Sequence, residues 1–224
     1  MNLNQTSLPS TSYTLPAVRT NRVIRNTYAL LSMTLLFAAA TAGGAVMLNL
    51  PHPGLIITLI GYFGLLFLTN KLRDSGWGIL SVFALTGFMG YTLGPILSVY
   101  LNMANGGLIV MQAFAATAAI FLGLSAYALT SRKDFSFMGG FLMAGMIVVF
   151  LASLGAIFFQ IPALSLAVSG AVVLLMAGMI LYETSNIIHG GETNYVMATV
   201  SLFVSLFNLF TALLQLLGVL NSDE

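Results

Sequence analysis

The chain has 224 residues, of which 58% are hydrophobic and 6% charged, against about a quarter charged in an ordinary soluble domain. So few ionisable side chains cannot coat a water-facing surface, so the chain reads as an integral membrane protein. The net charge of +1 points to neither nucleic acid nor an acidic partner, and the absence of cysteine excludes disulfides, thiol catalysis and thiolate metal sites.

Residues 1–24 are rich in Ser, Thr, Asn and Pro and have no apolar period, which predicts a disordered tail. Arg19, Arg22 and Arg25 then precede an apolar run. That outline resembles a signal peptide, but the tail ahead of it is long and the run continues through Val46–Leu50, so it reads as the first span. Seven apolar segments follow, at about 27–49, 54–70, 77–101, 106–129, 135–160, 162–188 and 193–220, most of them reaching the roughly 20 residues that cross a bilayer. The breaks between them carry turn chemistry, including Pro51-His52-Pro53-Gly54, Arg73-Asp74-Ser75-Gly76 and Gly190-Gly191. Backbone groups in lipid must be paired internally, so the segments are helices. The expected fold is all-α, with a seven-helix transmembrane domain over 25–220 and a short acidic C-terminus at 221–224.

The second segment is short, and Lys71 at its end can snorkel to relieve the mismatch. In the third, Pro95 crowds the carbonyl of Tyr91 and predicts a kink, while Gly90 and Gly94 permit a close helix crossing. The basic residues fall in the tail, in the loop after segment two (Lys71, Arg73) and in the loop after segment four (Arg132, Lys133). This alternation predicts a cytoplasmic N-terminus and, after seven crossings, a periplasmic C-terminus. The loop between segments six and seven has no Lys or Arg, so charge does not place it.

The last two segments hold the polar constellation. Glu183 is the only carboxylate inside a long apolar segment, about five residues, or roughly 8 Å, from its end. In the seventh segment Asn194, Ala198, Ser201, Ser205, Asn208, Ala212 and Gln215 recur at spacings of four and three, one polar or small stripe that should face other helices. Glu183 and Ser205 are each eleven residues from Asn194, so a symmetric turn sets them level, with Asn208 one turn deeper. Desolvation favours a neutral glutamate, while hydrogen bonds from Ser205 and Asn208 favour a charged one. Two readings stay open: a proton-sensitive gate or cation site, and a structural hydrogen bond between helices. His189 and Glu192 in the turn between the two segments are too few for a metal site, and His52 is remote. No nucleophile–base pair, phosphate loop or HExxH is present, so neither an enzyme nor a cofactor is expected.

The runs IRNTYALLSMTLLFAAATA, GYTLGPILSVY, SAYALTSRKDFSFMGGFLMAG and YETSNIIHGGETNYVMATVSLFVSLFNLF resemble the Bax inhibitor-1 family of seven-helix membrane proteins. The resemblance spans Val23 to Gly218 and is closer to the family's bacterial, YccA-type branch. It implies six helices around a central seventh. It further implies a pH-sensitive calcium leak controlled by an acidic pair, whose first member falls on Glu183 and whose second falls on Ser205, which is not an acid. The family's latch, an arginine at the cytoplasmic end of helix two, has Lys71 and Arg73 as candidates here. The bacterial branch is associated with the membrane AAA protease FtsH and its HflK–HflC partners. By that resemblance the expected function is a non-enzymatic inner-membrane modulator of FtsH, itself a candidate substrate through its N-terminal tail. The alternative is a pH-sensitive cation leak gated by Glu183.

Overall fold

A computed structural model describes residues 14–222, with side chains from 20 to 221. The acidic Asp223 and Glu224, and the first 13 residues of the expected tail, lie outside the described residues. The helices are α1 (Thr14–Met47), α2 (Leu55–Leu72), α3 (Trp77–Leu101), α4 (Gly106–Ser131), α5 (Gly139–Phe159), α6 (Pro162–Ile188) and α7 (Tyr195–Ser222), with a 3-10 turn at Ser136–Met138 ahead of α5. All seven are long and apolar enough to cross a membrane. Among the described residues there is no strand.

Two boundaries differ from expectation in an informative way. The first helix begins at Thr14, so residues 14–24, expected in the tail, are helical. No glycine or proline interrupts 17–25, and Val23 and Ile24 pack against the core, which extends the span beyond its apolar run. Pro16 falls in the first turn, where a missing N–H breaks no helical bond. The fifth segment starts as a 3-10 turn and becomes α-helical only at Gly139. Just upstream, the Asp134 carboxylate accepts from Ser136 N–H at 2.8 Å, and Phe135 N–H donates to Ser185 Oγ on α6 at 2.9 Å. These bonds satisfy backbone donors that the start of a helix leaves without a partner, and they tie the turn to α6.

The α7 helix is the axis of the bundle. From Val196 to Gly218 none of its residues is exposed. It packs directly against α1, α3, α4 and α6, while α2 packs on α3 and α5 on α6. The six outer helices therefore form an inner set of four and two flanks. The flanks have little buried surface: Thr69 is the buried residue of α2, and Leu142 and Ala156 are those of α5. Their outward faces, with Ile56, Ile60, Phe63, Phe67, Phe150 and Phe158 all exposed, suit a lipid surround.

Small residues bring α1 and α3 together. A methyl group at Gly90 would fall on Thr41 Oγ1 and the Ala38 carbonyl, and one at Gly94 on Ala45 Cβ and the Ala42 carbonyl. Only glycine allows this approach, which turns the expected four-residue spacing into an α1–α3 crossing. Pro95 lies inside α3, and the helix runs on through it to Leu101.

Cross-contacts sort the turns into two ends. Asn194 Nδ2 donates to the Arg73 carbonyl at 3.1 Å and to Asp74 Oδ1 at 2.8 Å. Ser185 Oγ donates to the Lys133 carbonyl at 3.2 Å, and Thr199 Oγ1 to the Thr27 carbonyl at 3.3 Å. The start of the first span, the α2–α3 turn, the α4–α5 loop and the α6–α7 turn thus share one end, where Arg22, Arg25, Lys71, Arg73, Arg132 and Lys133 gather. Tyr91 Oη donates to the Pro51 carbonyl at 2.9 Å at the opposite end, where Gly218 lies against the Tyr100 ring.

Candidate functional site

The site grows from the α6–α7 hairpin. Asn194 starts α7: its Oδ1 accepts from Val196 N–H at 2.9 Å and Met197 N–H at 3.1 Å, filling two otherwise orphaned donors of the first turn. Glu192 Oε1 accepts from Asn194 N–H at 2.7 Å. The hairpin is thereby set with α6 and α7 antiparallel and their polar stripes facing.

Glu183 is 8% exposed and Ser205 2%. Ser205 Oγ lies 3.2 Å from Glu183 Oε1 and 3.1 Å from Oε2, donating its one proton between them. The expected level pairing of these two residues is therefore present. Asn208 does not join it: its amide donates to the Val204 carbonyl of its own helix at 2.8 Å. No base approaches either, because the one ion pair among the described residues joins Arg73 Nε and Asp74 Oδ2 at 3.5 Å, both exposed.

Other polar side chains are buried within the bundle. Tyr28 Oη and Thr184 Oγ1 are 3.3 Å apart, linking α1 to the residue next to Glu183, and the Tyr28 ring stands 6.0 Å from Phe121 of α4. Thr27 Oγ1 and Ser125 Oγ are buried without a hydrogen-bond partner, a condition that costs free energy unless water or a ligand relieves it. Towards the other end, Gln215 accepts from Ser169 Oγ at 2.8 Å and donates to Ser165 Oγ at 2.7 Å. The α6–α7 seam is thus tied at two levels, separated along α6 by 183 − 169 = 14 residues, roughly 21 Å of helix.

Lys71 is exposed on the last turn of α2, and the Arg73 guanidinium binds within its own turn, donating to Asn70 Oδ1 at 3.2 Å. What holds this turn to α7 is the Arg73 carbonyl and the Asp74 carboxylate, both through Asn194. His189 Nδ1 sits 2.9 Å from the Ser185 carbonyl and 3.3 Å from its hydroxyl. Among the described residues no three of His, Asp and Glu gather closely enough to hold a metal ion.

Sequence reasoning passed over Tyr28, Ser165, Ser169 and Ser185. Ser165 and Ser169 had a legible signal, since two serines four apart on an apolar helix form one polar edge. Tyr28 and Ser185 had none, because the partners that tie them to other helices lie 156 and 50 or more residues away.

A buried carboxylate held by a hydroxyl at the centre of seven apolar helices defines a polytopic membrane protein built around its last hairpin. A family model described as Inhibitor of apoptosis-promoting Bax1 matches residues 20–222, and the chain belongs to that Bax inhibitor-1 family. It is 56% identical over 204 residues to the Modulator of FtsH protease YccA of Escherichia coli K12, covering 91% of this chain and 93% of that one. The Inner membrane protein YccA of a second E. coli strain is similar to the same extent. A membrane protein of Vibrio cholerae is 42% identical over 223 residues, covering 99% of this chain and 100% of that one.

Proposed function

We propose that this is a non-enzymatic inner-membrane protein that binds and modulates an FtsH-type membrane protease, and that residues ahead of α1 form the handle by which the protease engages it. The observation that carries this reading is the 56% identity, across nearly the full length of both chains, to a protein named as a modulator of that protease. The clustering of basic residues supports a cytoplasmic assignment for the end from which α1 starts. The Asn194 tie brings the α6–α7 turn to that same end, which agrees with a periplasmic exit of α7. An HflK–HflC complex would then meet the protein within the same assembly. The test is to delete residues 2–13, ahead of the first helix, and follow turnover in cells with and without the protease. The truncated protein should persist while the full chain decays. Equal decay of the two would remove the handle.

A second reading is favoured by the burial of Glu183 against Ser205 of the central helix: a proton-gated cation leak with Glu183 as the titrating gate and Ser205 in place of a second acid. Calcium uptake into proteoliposomes should then depend on pH and change in Glu183→Gln. Uptake that is absent, or that ignores the substitution, removes this reading.

A further inference from the structure

A cavity of about 350 Å³ lies at the basic end, between the start of the first span and the α6–α7 turn. Its lining combines Thr20, Arg22 and Val23 of α1 with Ile187, Gly190, Glu192 and Thr193. The volume falls within the roughly 300–1,000 Å³ of ordinary small-ligand sites. Arg22 and Glu192 carry opposite charges on this one cavity, yet they are not joined, since the only ion pair among the described residues is that of Arg73 with Asp74. A cavity lined by both a cation and an anion is complementary to a zwitterion.

The two walls differ in chemistry. The Arg22 guanidinium offers a planar fork of donors suited to a phosphate, and Thr20 and Thr193 add hydroxyl-bearing residues to the same lining. Glu192 presents an acceptor suited to an ammonium group that has N–H bonds to give. Val23 and Ile187 supply apolar wall where acyl chains would begin. The cavity also stands at the right depth, because Ile188 ends α6 and the 189–194 turn follows directly, which is the level of lipid headgroups.

We propose that this cavity is a binding site for a phosphoethanolamine group, with the phosphate on Arg22 and the primary ammonium on Glu192. A phosphocholine group fits less well, because its quaternary nitrogen has no N–H to donate to the carboxylate. A phosphoglycerol group lacks the cation altogether and leaves Glu192 facing a net negative ligand. The same chemistry is offered by a membrane lipid and by the free headgroup, and the apolar part of the lining favours the lipid.

The experiment uses the full chain purified in detergent, with thermal unfolding followed on addition of dihexanoyl phosphatidylethanolamine, phosphatidylcholine or phosphatidylglycerol at equal concentration. The ethanolamine lipid should raise the midpoint by several degrees more than the other two. That excess should fall by at least half in Arg22→Gln and in Glu192→Gln. The second substitution keeps an Oε1 acceptor for Asn194 N–H, so it removes the charge and spares the start of α7. O-phosphoethanolamine, which has no acyl chains, separates the sources: equal stabilisation identifies a soluble headgroup, and none identifies the lipid. Equal shifts with all three lipids on the unsubstituted protein would overturn the site whatever the variants do. So would an ethanolamine preference that survives both substitutions.

Discussion

Ser205 gives a single hydroxyl proton to both carboxylate oxygens of Glu183, at 3.2 and 3.1 Å, across the hairpin that ends in the central helix. One donor serving two acceptors is a thin arrangement for a buried acid, which ordinarily collects two or three. It makes the contact sensitive to small changes on either side.

Replacing Ser205 by Ala should therefore lower stability by about 1–3 kcal/mol, the usual cost of stranding a buried polar group. Replacing Glu183 by Gln should cost little, since the amide oxygen still accepts from Ser205 and no charge is left buried. Thermal unfolding of the three proteins in one detergent checks the order. A Glu183→Gln protein less stable than Ser205→Ala would show that the carboxylate makes stronger contacts than this hydroxyl.

Asn194 does two jobs that can be separated. Asn194→Ala removes both the first-turn acceptor of α7 and the bond to the α2–α3 turn, and should cost at least the roughly 1 kcal/mol typical of a lost cap. Asn194→Asp keeps the acceptor but sets a carboxylate against Asp74. Hydrogen exchange should then quicken at residues 73–76 while the first turn of α7 stays protected. Equal exchange in both regions would refute the division.

Gly90 lies directly against the α1 backbone. Gly90→Ala places a methyl group on the Ala38 carbonyl, and backbone cannot yield as a side-chain tip does. The loss should be about 1–3 kcal/mol, as for overpacked cores. Gly64, which has open space beside it, should accept alanine with no loss and serves as the control in the same unfolding assay.

Asp134 lies in the α4–α5 loop, outside the spans. Hydrogen bonds from the Ser136 N–H and side chain, with a smaller contribution from His189, hold its carboxyl below the usual range. A lowered value in the folded state means that the contribution to stability is present at neutral pH. It is lost as pH falls through the folded value. In Asp134→Asn the acid-side decline should be shallower, because the amide oxygen accepts from Ser136 without titrating. Unfolding midpoints from pH 7 down to pH 3 read the difference between the two slopes, and identical slopes would exclude the linkage.

The bonds to Asp134 and Phe135 also show where reading the chain alone stops short. The span limits at Trp77–Leu101 and Pro162–Ile188 were legible to the residue, because turn chemistry brackets a long apolar run on both sides. At the first helix the apolar run misled: the helix reaches back to Thr14, because no glycine or proline between Ala17 and Arg25 interrupts its backbone bonding. At the fifth, Ser185 from a distant helix accepts the Phe135 N–H and fixes the entry to the segment, a contact invisible in the local run of residues.

What the residues themselves determined is the number of spans and that the polar stripe of α7 would be covered by other helices. A bilayer demands a fixed length of apolar helix, and a stripe of small and polar side chains at helical spacing has only one energetically acceptable direction to point. Folding in three dimensions decided the pairings: Ser205 with Glu183 while Asn208 turns to its own backbone, Gln215 with two serines, Asn194 with a turn 120 residues away. A hydrogen bond forms or fails within a few tenths of an ångström, and that margin is set by how far each helix rotates and how closely its neighbours approach, which no side chain carries in its own identity.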